Sequence, residues 1–189
     1  MCTGNSGKFR AAQEHLAPRG IEVTQMPPDL DEIRATSAAE IAQHKARQAF
    51  EILRRPLFVE DSGFAIDEFN GWPGPMVEHA LEAFAPEGIV HLADLTKHRV
   101  CRFASAAVYA DGDGDLHTFA DDTLTPGTVA AASHRGEGPR SWSDQWSIFI
   151  PEGSTTLAAM PPAEQERVFA QWRSTSEVAA VGAWLAARE

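Results

Sequence analysis

Apolar side chains recur every three to four residues in several stretches of this 189-residue chain. This spacing places them on one face of a helix, so each stretch is predicted to be helical. The longest covers residues 37–53. Thr36 and Ser37 stand at its start, and either is suited to cap a helix N-terminus. The other predicted helices are residues 8–16, two weaker patches at 79–84 and 87–95, and a helical end at 164–172 and 177–187.

Shorter apolar or alternating runs predict β-strands between these helices. Residues 56–59 end directly at two acids, so this buried strand is expected to deliver Glu60 and Asp61 at its C-terminal edge. Two alternating runs flank residues 111–114, Asp-Gly-Asp-Gly, which is a hairpin signal. The predicted strands are residues 21–23, 56–59, 100–109, 116–122 and 147–150. The interleaving predicts an α/β fold, a mixed twisted β-sheet flanked by helices, in one domain over residues 1–189.

Composition narrows the function classes. The formal net charge of −11 argues against a general nucleic-acid clamp, which needs clustered Lys and Arg to displace counterions from phosphates. The two cysteines, Cys2 and Cys101, form no C-x-x-C pair, which favours a reduced intracellular setting. No apolar run reaches about 18 residues, and the N-terminus lacks the pattern of a signal peptide. A cytoplasmic protein without a membrane segment is the expectation.

The first candidate site is a small polar turn that opens the first helix. Small residues permit close backbone approach, amides at a helix start favour anions, and a lysine adds positive charge, so the turn is suited to polyphosphate. The alternative is a capped helix with a surface lysine, because the turn lacks the full P-loop spacing. The candidates are Thr3, Gly4, Asn5, Ser6, Gly7 and Lys8.

The second candidate site is the acidic pair Glu60-Asp61. Adjacent side chains on a strand point to opposite faces, so one of the two is expected to face a cleft, and Asp61 is chosen. A carboxylate there is suited to bind magnesium or to orient and deprotonate a water molecule. The alternative is a strand end that dissolves into a polar turn. Glu32 and Lys45, taken alone, are ordinary solvated residues.

Together these features occur in an order that resembles the inosine triphosphate pyrophosphatase family. The resemblance is strong from residue 3 to about residue 95 and thinner beyond. Its motifs are Thr3-Gly4-Asn5-x-x-Lys8, Glu32, Lys45, Glu60-Asp61-Ser62-Gly63 and Asn70-Gly71-x-Pro73-Gly74.

The resemblance implies a homodimer of two-lobed subunits, each with a central cleft, that cleaves nucleoside triphosphates to monophosphate and pyrophosphate. By resemblance, residues 3–8 would cradle the phosphates and Lys45 would neutralise their charge. Glu32 and Asp61 would hold Mg²⁺ with help from Glu60, Asp61 would also act as base, and Ser62 would contact substrate. Displacement at phosphorus depends on positioning and charge neutralisation, which such a set supplies.

The sequence departs from the family at the base-reading segments. The family's aromatic-rich segment is replaced by residues 141–146, where Trp142 and Trp146 are candidates to stack on a base and Asp144 to accept a hydrogen bond. The alternative for both tryptophans is a partly buried core position. The family's late Lys and Ser-His-Arg are absent near residues 165–173, and Arg173 is retained as a candidate substrate contact.

Two further departures concern the start of the chain and the Pro-Gly turn. Only Met1 and Cys2 precede Thr3, where the family has an apolar strand, so either the true start lies upstream or this edge of the sheet is missing. Glu78 replaces a lysine that often follows the Pro-Gly turn.

The leading hypothesis is therefore a magnesium-dependent nucleoside triphosphate pyrophosphatase with a base preference altered from inosine and xanthosine triphosphate, because a site that loses its polar partners for one base edge discriminates differently. One alternative is a catalytically silent nucleotide-binding homologue that acts as a sensor or an assembly partner. Another is hydrolysis of a deoxynucleoside or pyrimidine triphosphate, as in the related septum-inhibitor family.

Overall fold

A computed structural model of the chain describes residues 1–136 and 143–188, with the side chains of residues 121–124 and 173 left out of that description. Five strands form one sheet in the order β2-β1-β3-β4-β5. They are β1 (Leu57–Ile66), β2 (Pro73–Gly74), β3 (Val100–Ala110), β4 (Leu116–Val129) and β5 (Phe149–Ile150). The α-helices formed by the described residues are α1 (Ser6–Leu16), α2 (Ala38–Leu53), α3 (Val77–Ala93), α4 (Pro162–Thr175) and α5 (Glu177–Ala186). The predicted α/β class is confirmed.

The chain divides into two compact units, each assembled from separate stretches of sequence. Unit 1 consists of Met1–Ser62, Ser105–Asp122 and Arg173–Glu189, and unit 2 of Gly63–Ala104 and Thr123–Trp172. The single domain over residues 1–189 stays a prediction. Among the described residues, no helix combines the length and apolarity needed to cross a bilayer.

Unit 1 has a core of small and aliphatic side chains. Three fully buried alanines of α2, Ala42, Ala46 and Ala49, pack in one cluster with Val59 of β1 and Val108 of β3. Alanine has no side chain beyond Cβ, so the helix backbone can approach the strands closely. This cluster packs α2 against the part of β1 that lies next to Glu60 and Asp61.

Unit 2 has an aromatic core. Phe64, Phe103 and Phe149 stack edge to face, with ring centroids 4.8–6.3 Å apart. The β1–β2 register pairs Phe64 with Gly74. A Cβ added to Gly63 would lie 2.4 Å from the Gly74 carbonyl carbon, so only glycine allows this close backbone approach.

Most predicted elements are confirmed, including the long helix after Ser37 and the hairpin around residues 111–114. The two weak helical patches near residues 79–95 form one helix, α3, with a break where they were predicted to separate. Ala85 there has φ 54° and ψ 173°, directly before Pro86. Proline disfavours the helical conformation at the residue before it, which explains the break.

Four local predictions were wrong. Residues 21–23 form no strand, although Val23 is buried, because its side chain packs with α1 residues without backbone pairing. Ser6 and Gly7 belong to α1 and not to the preceding turn, since Asn5 caps the helix. Ser147 ends a short 3₁₀ helix, and β5 begins only at Phe149.

The fourth wrong prediction concerns the acidic pair: Glu60 and Asp61 lie inside β1, which continues to Ile66. A strand can carry two adjacent acids in its middle when each finds a cationic partner, as described below.

The first two residues of the chain form backbone hydrogen bonds with two other segments. The Cys2 amide donates to the Phe58 carbonyl at 2.9 Å, and Cys2 also forms a parallel bridge with Met26. The Met1 ammonium donates to the Thr24 carbonyl at 2.9 Å. Met1 and Cys2 thus link residues 24–26 to β1 through backbone hydrogen bonds.

Candidate active site

Lys45 of α2 joins two carboxylates from distant parts of unit 1. Its Nζ lies 2.7 Å from Glu32 Oε1 and 2.8 Å from Asp61 Oδ2. Both distances are typical of charge-assisted hydrogen bonds. The Asp61 side chain is 8% exposed and the Glu32 side chain 59% exposed, so the array reaches from the interior of the unit to solvent.

Lys8 of α1 forms a second ion pair with the neighbouring acid of β1. Its Nζ lies 3.3 Å from Glu60 Oε1, and both side chains are largely buried. The two adjacent acids of β1 therefore bind two different lysines, and the charge of Asp61 also acts on Lys8. The structure thus brings together five predicted site residues within unit 1: Lys8, Glu32, Lys45, Glu60 and Asp61.

Both lysines are held in the charged form. Burial lowers the pKa of Lys8, but the charges of Glu60 and Asp61 outweigh it and raise the pKa above its ordinary value. Burial likewise opposes the charge of Lys45, and hydrogen bonds to Asp61 and Glu32 raise its pKa above the ordinary value. Two permanent positive charges next to carboxylates are suited to an anionic substrate that brings its own cation.

The N-terminal turn is organised by Asn5. Its Oδ1 accepts from the amides of Gly7 at 2.9 Å and Lys8 at 3.0 Å, and the Asn5 amide donates to Thr3 Oγ1 at 3.1 Å. The turn therefore has the geometry of an N-capped helix. A phosphate bound here would have to share or displace the hydrogen bonds that the Gly7 and Lys8 amides donate to Asn5. Gly4 is exposed with open space around its Cα, and Ser6 is also exposed.

One pair of carboxylates, both bound to Lys45, offers oxygen ligands for a divalent cation. Glu32 Oε1 and Asp61 Oδ2 contact the same ammonium, so they lie close to each other. Among the described residues, no group of three or more His, Cys, Asp or Glu side chains is arranged to hold a metal, and Glu60 is bound to Lys8. A carboxylate pair fits Mg²⁺, which uses one or two carboxylates together with waters and substrate phosphates.

The remaining predicted residues are Ser62, Trp142, Asp144, Trp146 and Arg173. Ser62 follows Asp61 in β1 and is half-buried, whereas Asp144 and Trp146 belong to unit 2. Trp146 packs against Phe169, with ring centroids 5.1 Å apart, and Asp144 binds Arg135 at 2.6 Å. Trp142 and the side chain of Arg173 lie outside what the structure describes. Base contact by these residues stays a prediction.

Sequence reasoning missed one buried acid of unit 1, Glu177, at the start of α5. Ser105 Oγ donates to Glu177 Oε2 at 2.8 Å, and the charges of Glu60 and Lys8 act on the same carboxyl. Burial raises the pKa of Glu177 to about 7, and the charge of Glu60 adds to the increase. The only local signal was a helix start at Ser176-Glu177, which is typical of an exposed cap.

An α/β fold with two lysines set among carboxylates has the features of hydrolases that act on phosphoanhydrides. The Ham1 family model matches residues 1–180. The chain therefore belongs to the Ham1 family, which confirms the predicted resemblance.

Individual relatives agree with this assignment over most of the chain, and a solved structure agrees with the fold. The dITP/XTP pyrophosphatase of Methanopyrus kandleri is 34% identical over 182 residues, which cover 91% of this chain and 94% of that protein. The inosine triphosphate pyrophosphatase of Kluyveromyces lactis is 30% identical over 183 residues, which cover 93% and 91%. The solved Ham1 protein of Staphylococcus aureus superposes with a TM-score of 0.75 at 17% identity, over 99% of this chain and 97% of that one. The names of the relatives agree with the predicted enzyme class.

Proposed function

We propose that this chain hydrolyses a nucleoside triphosphate to the monophosphate and pyrophosphate in a Mg²⁺-dependent reaction, with a base preference other than inosine or xanthosine. The observation that carries the proposal is the pairing of Lys8 and Lys45 with the adjacent acids of β1, Glu60 and Asp61. Family membership supplies the reaction class, because the related proteins are named pyrophosphatases of dITP, XTP or inosine triphosphate.

The charge balance of the array supports a metal-bound triphosphate. Three carboxylates, on Glu32, Glu60 and Asp61, pair with only two ammonium groups, those of Lys8 and Lys45. Such an excess of acid repels a bare triphosphate and attracts a divalent cation. When bound, Mg²⁺ neutralises phosphate charge and polarises the anhydride that is cleaved. Glu32 and Asp61 are the residues suited to hold it, with Glu60 in support.

The chain's own residues then have separate tasks. Lys8 and Lys45 exchange their carboxylate partners for phosphate oxygens and fix the triphosphate tail, which also draws on the turn of residues 3–7. Asp61, largely shielded from solvent, accepts a proton from the attacking water as the anhydride between the α- and β-phosphates breaks and pyrophosphate leaves. Ser62 contacts the substrate next to Asp61.

Altered base selection rests on the residues of unit 2. Asp144 is bound by Arg135 and Trp146 packs against Phe169, so both side chains already have protein partners, and the family's late Lys and Ser-His-Arg are absent near residues 165–173. A site built for one polar edge penalises a base that leaves its groups unpaired. A nucleoside triphosphate whose base presents a different hydrogen-bonding edge is therefore the preferred substrate. Pyrimidine triphosphates and deoxynucleoside triphosphates belong among the candidates.

The test is pyrophosphate release from a panel of purine and pyrimidine ribo- and deoxyribonucleoside triphosphates, with and without Mg²⁺. Asp61→Asn is expected to lower kcat by at least about 10²-fold, the contribution of acid–base help. Asp113→Asn, the same change in the exposed hairpin turn, is the matched control and is expected to leave kcat unchanged. Equal rates for Asp61→Asn and the unaltered protein would remove Asp61 from the mechanism, and a clear preference for inosine or xanthosine triphosphate would refute the altered base selection.

The silent nucleotide-binding alternative is favoured by one observation. Asp61, the proposed base, already accepts a hydrogen bond from Lys45 at 2.8 Å, and a carboxylate held in this way is less available to take a proton from water. Calorimetry with a non-hydrolysable triphosphate beside the turnover assay separates the two functions, because binding without any release of pyrophosphate from the panel supports the silent form.

The family resemblance also leads us to propose a homodimer in the cytoplasm. Light scattering at several protein concentrations tests the dimer, and a mass of one chain at all of them would refute it.

A further inference from the structure

Glu32 lies in a stretch of unit 1 that has no regular secondary structure to hold it. Residues 27–35 form neither helix nor strand, and Asp31 and Glu32 are both exposed. Within the described part of the chain, residues 27–36 form no backbone–backbone hydrogen bond. An exposed loop of this kind does not by itself fix the direction of a carboxylate, so side chains of other elements have to hold Glu32 near Asp61.

Gln48 of α2 holds the residue directly before Glu32. Its Oε1 accepts from the Asp31 amide at 3.0 Å, and its Nε2 donates to the Asp31 carbonyl at 3.0 Å. One side chain thus pairs with both backbone groups of one residue, as a partner residue does in an antiparallel ladder. A glutamine amide can do this because it carries both a donor and an acceptor, whereas a carboxylate or an ammonium group carries only one kind.

Gln48 stands one helical turn after Lys45, the residue that binds Glu32. Residues three positions apart lie on the same face of a helix. This face of α2 therefore holds two consecutive residues of the loop, the backbone of Asp31 through Gln48 and the side chain of Glu32 through Lys45 at 2.7 Å. Leu30, the residue before them, packs against the cluster that contains the buried alanines of α2.

Attachment of the loop to the fold would need only the packing of Leu30. The two hydrogen bonds of Gln48 do more, because they fix the peptide groups on both sides of Asp31. The second of these peptide groups leads directly to the Cα of Glu32. The backbone is thus held immediately before Glu32, where the packing of an apolar side chain does not act.

We propose that Gln48 is a positioning residue for the divalent cation: it fixes the peptide groups around Asp31 and thereby holds the Glu32 carboxylate beside Asp61. The inference rests on the proposed function, since it takes Glu32 and Asp61 as the residues that hold Mg²⁺. A carboxylate that is already in place loses less conformational freedom when the metal binds. Loss of the two hydrogen bonds therefore weakens metal-dependent binding, although Gln48 itself does not contact the metal.

The test measures, by calorimetry, the dissociation constant of a non-hydrolysable nucleoside triphosphate at saturating Mg²⁺. Gln48→Met keeps an unbranched side chain with similar helix propensity and removes both hydrogen bonds. It is expected to bind about tenfold more weakly than the unaltered protein, the lower end of the effect of removing a residue that orients a metal ligand. Gln43→Met is the matched control and is expected to keep the unaltered affinity, because Gln43 lies on the same helix but donates to Thr118 Oγ1 of β4 at 2.9 Å.

A second background shows whether Gln48 acts through Glu32. Glu32→Gln removes the proposed metal ligand and is itself expected to weaken binding, so Gln48→Met is expected to cause no further loss in that background. A variant that merely disturbed the fold would weaken binding by the same factor in both backgrounds. That result, an unaltered affinity of Gln48→Met, or an unweakened affinity of Glu32→Gln would overturn the inference.

Hydrogen exchange of the Asp31 amide in the metal-free protein, followed by NMR, needs neither substrate nor activity. Gln48→Met is expected to speed this exchange, because the amide loses its acceptor, and to leave the buried Ala46 and Ala49 amides of α2 unchanged. Unchanged exchange at Asp31, or faster exchange at all three positions, would also overturn the inference while the proposed function stands. No binding of triphosphate by the unaltered protein would refute the proposed function and the inference with it.

Discussion

Replacement of Lys45 by methionine is the most direct test of the charge array. Methionine keeps an unbranched apolar side chain of similar length and removes the ammonium. Asp61, with 8% of its side chain exposed, then loses its 2.8 Å partner, and Glu32, with 59% exposed, loses its 2.7 Å partner. We therefore expect Lys45→Met to destabilise unit 1 through Asp61 far more than through Glu32.

The magnitude follows from burial. Removal of one partner from a fully buried ion pair costs about 3–5 kcal/mol, because the remaining charge is uncompensated. Lys45 is 18% exposed, so the lower end applies and the Asp61 arm is worth about 3 kcal/mol. The exposed Glu32 arm is screened by solvent and contributes at most about 1 kcal/mol.

Urea denaturation at pH 7 without divalent cations measures these free energies of unfolding. Glu32→Gln, the matched control for the exposed arm, is expected to cost less than about 1 kcal/mol. The double variant Lys45→Met/Asp61→Asn removes both charges and is expected to recover a large part of the loss, since no charge is left unpaired. A cost below about 1 kcal/mol for Lys45→Met, or strictly additive effects in the double variant, would show that the pair does not stabilise the fold.

Three further predictions address single positions. Gly4→Ala is expected to weaken triphosphate binding but to leave the free energy of unfolding unchanged, because an added Cβ meets open space. Gly112→Ala, at an equally open position in the hairpin, is the control. Equal triphosphate binding by the two variants would contradict a phosphate contact at Gly4. Gly63→Ala is expected to lower the free energy of unfolding by about 1–3 kcal/mol, because its Cβ would lie 2.4 Å from the Gly74 carbonyl carbon. An unchanged melting temperature would refute the close approach of these two backbone segments. Because the pKa of Glu177 is raised to about 7, its neutral form stabilises the fold fully below pH 4.5, and this contribution is lost as the pH rises to 7. Glu177→Gln lacks this loss, so its free energy of unfolding is expected to rise by up to about 3 kcal/mol relative to that of the unaltered protein between pH 5 and pH 8. Parallel curves of unfolding free energy against pH for the two proteins would contradict the raised pKa.

The agreement between sequence and structure is best where the signal is local. The helix after Ser37 depends on the spacing of its own apolar residues, and the break in α3 depends on Pro86 and its neighbour. The turn between β3 and β4 depends on two glycines and two acids within four residues. Each of these signals acts over one or two helical turns, so the sequence alone predicts them.

The predictions that were wrong depended on distant partners. Val23 lies in the alternating stretch Ile21-Glu22-Val23, which is typical of a strand, but it is buried against other segments without pairing. β1 continues through Glu60 and Asp61 because Lys8 and Lys45, from two separate helices, neutralise them. Neither outcome can be inferred from neighbours in the sequence, since the deciding contacts span tens of residues.

The amino-acid sequence by itself determined the class of fold, the family, and the residue types of the phosphate-handling set, because motif order and hydrophobic spacing are properties of the chain. Only the tertiary structure decided which acid binds which lysine, that Asn5 occupies the amides of the first helix, and that Glu177 is buried against Ser105. The physical reason is that burial, ion pairing and the pKa of a carboxyl depend on the groups brought around it by folding. Glu177 and Ser105 are 72 positions apart, and no local pattern connects them.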